Sequence, residues 1–287
     1  YGWFDIMEGE NAERPKHFSA NWSEDSKWIT TNIIDFRNAE KMYLLDHSID
    51  SLYKSKLLSY YRGSPGDTTM VHVTPAFFNV ETKKEVKTNL PTGTHINSVS
   101  IEWMKKSGIL LAEYSERGYK KEVLKLVDLN SGSEKTLIEE TSETNIDNFW
   151  FRKFDDKQKV IFLSERSGWR QLYIIDLKTN ETKPITLGNY YINAIEYTNE
   201  DKEEIYFLAS GKDASMNPYH QQLYRVDFDG EVTLLTPENT HHIVNFSEDG
   251  KHFADNFSAI NIPTKTVLRD SKNGNILAEL TEADVSE

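Results

Sequence analysis

The 287-residue chain carries 33 lysines and arginines against 46 aspartates and glutamates, a net charge of −13, which argues against the clustered cations a nucleic-acid partner requires. It contains no cysteine, which excludes disulfides, thiolate zinc sites and a cysteine nucleophile, and no stretch approaches the roughly 18 uninterrupted apolar residues of a membrane helix. Its 38% hydrophobic and 12% aromatic residues suffice for a sizeable core, and their aromatic and β-branched bias favours strands.

The opening residues, Y-G-W-F-D, are neither basic nor a signal core, so the chain is expected to begin as a mature protein or a cut piece. Behind them, M-E-G-E-N-A-E-R places Glu8, Glu10 and Glu13 close together but never adjacent. A pattern then recurs five times: an aromatic, a polar turn and a β-rich run. It reads Trp22-Ser-Glu-Asp-Ser-Lys27, Trp103-Met-Lys-Lys-Ser-Gly108, Phe154-Asp-Asp-Lys-Gln-Lys159, Tyr197-Thr-Asn-Glu-Asp-Lys202 and Phe246-Ser-Glu-Asp-Gly-Lys251. The last three intervals, 51, 43 and 49 residues, match the roughly 40 to 50 residues of a four-stranded propeller blade. The first interval, 81 residues, implies an insertion over 46–70, a loop or projecting hairpin that contains Leu52-Tyr-Lys54 and Tyr60-Tyr-Arg-Gly-Ser-Pro-Gly-Asp67. The fold expected is therefore all-β, a β-propeller of four-stranded antiparallel blades. Five blades are expected, at about 17–88, 95–138, 146–186, 191–236 and 241–280.

Particular wording also carries a resemblance. The run Ser164-Glu-Arg-Ser-Gly-Trp-Arg-Gln-Leu-Tyr173, with Asp176 and Ile185-Thr-Leu-Gly-Asn189, closely resembles the S-E-R-D-G-W-x-x-L-Y blade of bacterial dipeptidyl peptidase IV-like enzymes. Gln222-Leu-Tyr-Arg-Val-Asp-Phe-Asp-Gly230 is similar to that family's H-L-Y-R-V-x-L-D-G, and Asn21-Trp-Ser-Glu-Asp-Ser-Lys27 to its W-S-P-D-G-K blade opening. Tyr60 to Asp67, followed by Thr74-Pro75, looks like its insertion. The resemblance implies a serine peptidase of the prolyl oligopeptidase architecture, an eight-bladed propeller followed by an α/β-hydrolase domain. Only about five of the eight blades are present in this chain. Neither a G-x-S-x-G nucleophile elbow nor alternating strands and long helices appears, so no catalytic residue is assigned and the hydrolase domain is expected outside the chain. Peptide substrates, that hydrolase domain and, because open blade edges associate, a homodimer are the implied partners, with export to the periplasm or beyond. The alternative is a stand-alone propeller used as a binding scaffold.

The resemblance implies that the region holding a substrate's ammonium in aminodipeptidases of the family lies at or just before the start of the chain, where Glu8, Glu10 and Glu13 are the candidates; their spacing departs from the family's adjacent pair, and the alternative is solvated loop acids with Arg14 as a local partner. Tyr60, Tyr61 and Arg62 are the stronger candidates for a surface facing substrate. Glu165, Arg166, Gly168, Trp169, Leu172 and Tyr173 are read as structural, with Arg166 bracing the turn and Trp169 packed between blades. The pairs Glu139-Glu140, Asp155-Asp156 and Glu203-Glu204 read as solvated turn acids. Asp35, Glu102 and Glu113 are the carboxylates to inspect for a glycosidase-like pair. His241-His242 sits in a strand, where neighbours diverge, and no metal or other cofactor is expected.

Overall fold

The repeated turn has a physical basis visible at both ends of the chain in the computed structural model, which describes residues 20–47, 55–61, 64, 66–94, 97–146 and 149–285. In Ser23-Glu-Asp-Ser-Lys27, Ser23 N donates to Trp28 O at 3.0 Å, Ser23 Oγ reaches Asp25 Oδ1 at 2.6 Å and Trp28 N returns to Ser23 Oγ at 3.0 Å. Ser247-Glu-Asp-Gly-Lys251 repeats it, with Ser247 N to His252 O at 2.9 Å, Ser247 Oγ to Asp249 Oδ1 at 2.8 Å and His252 N to Ser247 Oγ at 3.2 Å. The short side chains satisfy the backbone as the chain reverses. The fourth turn position has φ of 65° at Gly250 and 58° at Ser26, a left-handed conformation natural to glycine and strained for serine.

The chain divides into two compact units, Tyr1–Asp147 and Asn148–Glu287. In the first, β1 (Asn21–Trp22) and β2 (Trp28–Asp35) are followed by β3 (Met42–Asp46) and β4 (Lys56–Tyr60), then β5 (His72–Asn79), β6 (Lys84–Val86) and β7 (Gly93–Thr94). Blade one has the order β1-β2-β5-β6, with β7 also on β5, while β3 and β4 form a separate pair. Blade two is β8 (Ser100–Trp103), β9 (Ile109–Ser115), β10 (Lys121–Asp128) and β11 (Ser133–Thr141).

The second unit holds three blades, each a four-stranded sheet in sequence order. Blade three is β12 (Phe151–Phe154), β13 (Lys159–Ser164), β14 (Gln171–Asp176) and β15 (Thr182–Pro184). Blade four is β16 (Tyr191–Asn199), β17 (Glu204–Ser210), β18 (Gln221–Asp227) and β19 (Val232–Leu234). Blade five is β20 (His241–Phe246), β21 (His252–Ala259), β22 (Ile262–Asp270) and β23 (Ile276–Glu282). Every pairing is antiparallel, and no helix lies among the described residues. The fold is a partial β-propeller.

Blade interiors follow from period-two alternation on strands covered from both sides. β17 sends Ile205, Phe207 and Ala209 into the core shared with Ile161, Leu172 and Ile174 of blade three. Its intervening Tyr206 and Leu208 face Val244 and Phe253 of blade five. A strand buried on both faces reads as an unbroken apolar run, which is why I-Y-F-L-A lacks a polar face. In the first unit Trp28 and Phe77 meet Trp103, Leu110 and Val127, with Phe77 edge-on to Trp103 at 6.4 Å.

Candidate functional site

Between β2 and β5 the chain leaves blade one and returns, and among the described residues β3 pairs only with β4. The insertion therefore begins directly after Asp35, not at Asp46. Met42–Leu45 reads locally like a blade strand, yet its partner lies within the insertion. The register Tyr43↔Ser59, Leu44↔Leu58 and Leu45↔Leu57 puts Tyr43, Leu45 and Leu57 on one face and Leu44 with Leu58 on the other. Tyr43, Leu45 and Leu57 are 60%, 61% and 60% exposed. Two strands alone are marginal in water, so the fixed root of this hairpin matters.

At the root, Phe36 meets Tyr61 with ring centroids 5.1 Å apart, and Lys41 Nζ lies 5.1 Å from the same ring. Arg37 donates from Nε to Asp35 Oδ1 at 2.9 Å and from Nη2 to Asp35 Oδ2 at 2.5 Å. These bonds hold the Asp35 carboxyl well below the usual carboxylate range. On the return, Ser64 N donates to Asp67 Oδ2 at 2.6 Å, and Arg117, from the β9–β10 turn, donates to the carbonyls of Ser64, at 3.1 Å, and Asp67. Of the predicted substrate-facing residues, Tyr60 ends β4 and Tyr61 is engaged in the root. Arg62 lies outside the described residues, as do Glu8, Glu10 and Glu13.

The Ser164–Tyr173 run forms the β13–β14 turn. Gly168 has φ of 89° and donates its N–H to Glu165 O at 2.8 Å. Arg166 donates from Nε to Ser164 Oγ at 3.1 Å and covers the Phe162 and Tyr173 rings at 5.1 and 5.0 Å, which braces the turn. Leu172 and Tyr173 enter the core, and Glu165 faces solvent. Trp169 departs from expectation, being 42% exposed. The inter-blade position falls instead to the two residues after it. Arg170 donates from Nη1 to the carbonyls of Ile192 and Asn193 at 3.2 and 3.0 Å, and Gln171 from Nε2 to that of Tyr190 at 2.7 Å. Blade four repeats the device, with Gln221 on His242 O at 3.0 Å and Gln222 on Thr240 O at 3.3 Å. The family motifs in the sequence include Arg170, Gln171 and Gln222 but give them no inter-blade role, although the polar pair before each L-Y was the signal available.

The acids sort by partner. Asp155 is not a solvated turn acid: it is 6% exposed and pairs with Lys153 Nζ at 3.1 Å. Glu204 accepts from Tyr206 OH at 3.0 Å and pairs with Arg225 at 3.3 Å, and Glu139 pairs with Lys121 at 3.4 Å. Asp35 is taken by Arg37, while Glu113 hydrogen-bonds Glu122, whose carboxyl is pushed up to about 8 by burial and by that neighbour.

A hydroxyl, an imidazole and a carboxylate do meet in blade five. Thr240 Oγ1 lies 3.0 Å from His242 Nε2, and His242 Nδ1 lies 2.9 Å from Asp255 Oδ1. The order is that of a hydrolytic triad, but the three residues are 2%, 0% and 0% exposed, which seals the hydroxyl from any substrate. Glu238, His242 and Asp255 also bring ligand-type atoms within 4.8 Å of one another. Arg269, however, already places Nε 2.8 Å from Asp255 Oδ2 and Nη2 2.8 Å from Glu238 Oε1. A guanidinium on those carboxylates opposes a metal cation there, and the cluster is structural. His241 is only partly buried, so the two histidines diverge as adjacent strand residues do.

Residues 15–264 match the model of the dipeptidyl peptidase IV (DPP IV) N-terminal region. The chain is similar in fold to Porphyromonas gingivalis dipeptidyl peptidase 4, with a TM-score of 0.73, 18% identity, and coverage of 93% of this chain and 37% of that one. A Bacteroides ovatus protein provisionally named dipeptidyl aminopeptidase IV aligns with a TM-score of 0.69 and 19% identity, over 92% of this chain and 40% of its own. Among curated proteins, dipeptidyl peptidase 4 of Arthroderma otae is 25% identical over 162 residues, 52% of this chain and 20% of that protein. The chain thus spans a fifth to two-fifths of the relatives it matches.

Proposed function

Because the chain belongs to the family of dipeptidyl peptidase IV N-terminal regions, we propose that it is the non-catalytic propeller of a serine-type dipeptidyl peptidase, gating and positioning peptides for an α/β-hydrolase domain elsewhere on the polypeptide. The observation that carries this reading is the extent of the likeness: over nine-tenths of this chain aligns with well under half of a dipeptidyl peptidase 4, which leaves the relative's remaining length for the chemistry. The reading also assigns the protein to the periplasm or the cell exterior, testable by fractionation. The polypeptide carrying this chain together with a hydrolase domain is expected to release dipeptides from X-Pro or X-Ala chromogenic substrates. No cleavage by such a protein with an intact triad would overturn the proposal.

The insertion hairpin supplies the surface for self-association in this reading. Tyr43, Leu45 and Leu57 form an exposed apolar stripe on a ribbon that has no third strand among the described residues, and such stripes mark contact surfaces. Replacing both Leu45 and Leu57 with glutamate is expected to weaken dimerisation at least tenfold in sedimentation velocity while leaving the far-UV spectrum unchanged. An unaltered dimer would remove the hairpin from the interface.

A further inference from the structure

The first strands of blades three and four hold charges that the fold itself does not use. Arg152, in the middle of β12, is exposed. The other described arginines are engaged: Arg37 by a carboxylate, Arg117 and Arg170 by carbonyls, Arg166 by a hydroxyl, and Arg225 and Arg269 by carboxylates. Arg152 has no ion-pair or hydrogen-bond partner among the described residues. In a chain of net charge −13 a guanidinium without a carboxylate is notable, because its planar fork matches that group two bonds at a time.

Opposite it, β16 is interrupted twice. The register against β17 slips between Ile192 and Ala194 and again between Ile195 and Tyr197, which makes Asn193 and Glu196 the extra residues of two bulges. A bulge re-aims side chains and is common beside binding sites. The first bulge has a structural explanation, since Arg170 holds the carbonyls of Ile192 and Asn193 and Ser210 Oγ donates to Asn193 Oδ1 at 3.0 Å. The second has none. Glu196 is partly buried, its carboxyl raised by that burial, and it has no hydrogen-bond or ion-pair partner among the described residues. Glu196 and Arg152 line one cavity of about 250 Å³ with Trp150, Ile195 and Tyr197, without closing an ion pair on each other. The cavity lies below the usual range for drug-sized ligands and suits one or two amino-acid residues.

We propose that this cavity is a subsite for the C-terminal residue of a short peptide with a free carboxylate. The guanidinium of Arg152 takes the carboxylate, Glu196 accepts the adjacent peptide N–H when ionised, and the terminal side chain rests against Trp150. The inference rests on the reading that peptides reach this propeller, but it assigns the propeller a contact with the carboxyl end of the peptide that does not depend on catalysis.

The test uses the whole chain and the tripeptide Gly-Ala-Phe, as free acid and as C-terminal amide, in isothermal titration calorimetry and saturation-transfer NMR. The free acid is expected to bind saturably, at least tenfold more tightly than the amide. Arg152→Gln should weaken it at least tenfold and Glu196→Gln about threefold, while Arg37→Gln, at a paired surface arginine, leaves it unchanged. Because Arg152 is exposed, thermal melts of Arg152→Gln should overlay those of the parent, which separates lost binding from lost folding. Equal binding of acid and amide, indifference to Arg152→Gln, or no saturable binding of either peptide overturns the subsite. Any of these results alongside retained cleavage of chromogenic dipeptides by the longer protein leaves the peptidase reading standing; absent cleavage, by contrast, strikes that reading directly.

Discussion

Arg269→Ala is expected to destabilise the chain by about 3–5 kcal/mol, because removing one partner of a buried ion pair leaves the other uncompensated. Arg269 is 2% exposed and Asp255 0%. Arg269 touches Asp255 through Nε, Glu238 through Nη2 and the Gly274 carbonyl through Nη1 at 2.9 Å. It therefore ties β21, β22, the β22–β23 turn and the segment entering β20 together. Gly274 belongs to the same device: at φ of 75° a Cβ there would also run into the Leu235 carbonyl. Urea midpoints of the whole chain measure the loss. The double variant Arg269→Met with Asp255→Asn should cost less than the sum of the single changes, since neither charge is then stranded. A loss below about 1 kcal/mol for Arg269→Ala would mean that water reaches the cluster and that it is not the lock described.

Glu122→Gln is expected to raise stability at pH 8 by about 2–4 kcal/mol, since one pKa unit corresponds to about 1.4 kcal/mol. Glu122 is 4% exposed, and its carboxyl is lifted from 4.5 to about 8 first by burial and then by the hydrogen bond and charge of Glu113. The folded chain thus holds a proton that the unfolded chain releases near pH 4.5. The stability associated with that proton is fully present below about 4.5 and is lost as pH rises toward 8. The parent should therefore weaken between pH 5 and pH 8, and Glu122→Gln should flatten that slope. Urea melts at pH 5, 6.5 and 8 decide it, and parallel slopes for parent and variant would rule out a protonated Glu122.

Much of the fold was legible because it is written in short-range chemistry. The Ser-x-Asp turns before Trp28 and His252 satisfy their own backbone, and the apolar run Ile205–Ala209 declares a strand covered on both faces. Other features were misread for equally physical reasons. Met42–Leu45 has a strand's composition, and nothing local says that its partner is Lys56–Tyr60 and not blade one. Trp169 looks like a core aromatic, but the turn at Gly168 assigns the inter-blade position to Arg170 and Gln171. The paired Glu113 and Glu122 lie on different strands, so the elevated carboxyl had no signature along the chain.

By itself the sequence determined the all-β class, the blade repeat and the hairpin turns, because turn dihedrals and period-two alternation depend on residues a few positions apart, and the wording of the Ser164–Tyr173 and Gln222–Gly230 runs carried the family resemblance. Only the tertiary structure decided which polar side chains converge. His242, Asp255 and Arg269 meet because the blade-five register places three strands side by side, and Arg152 shares a cavity with Glu196 because β16 bulges once more than Arg170 requires. Register and bulges are set by pairing between distant segments, where one residue of slip turns a side chain to the other face.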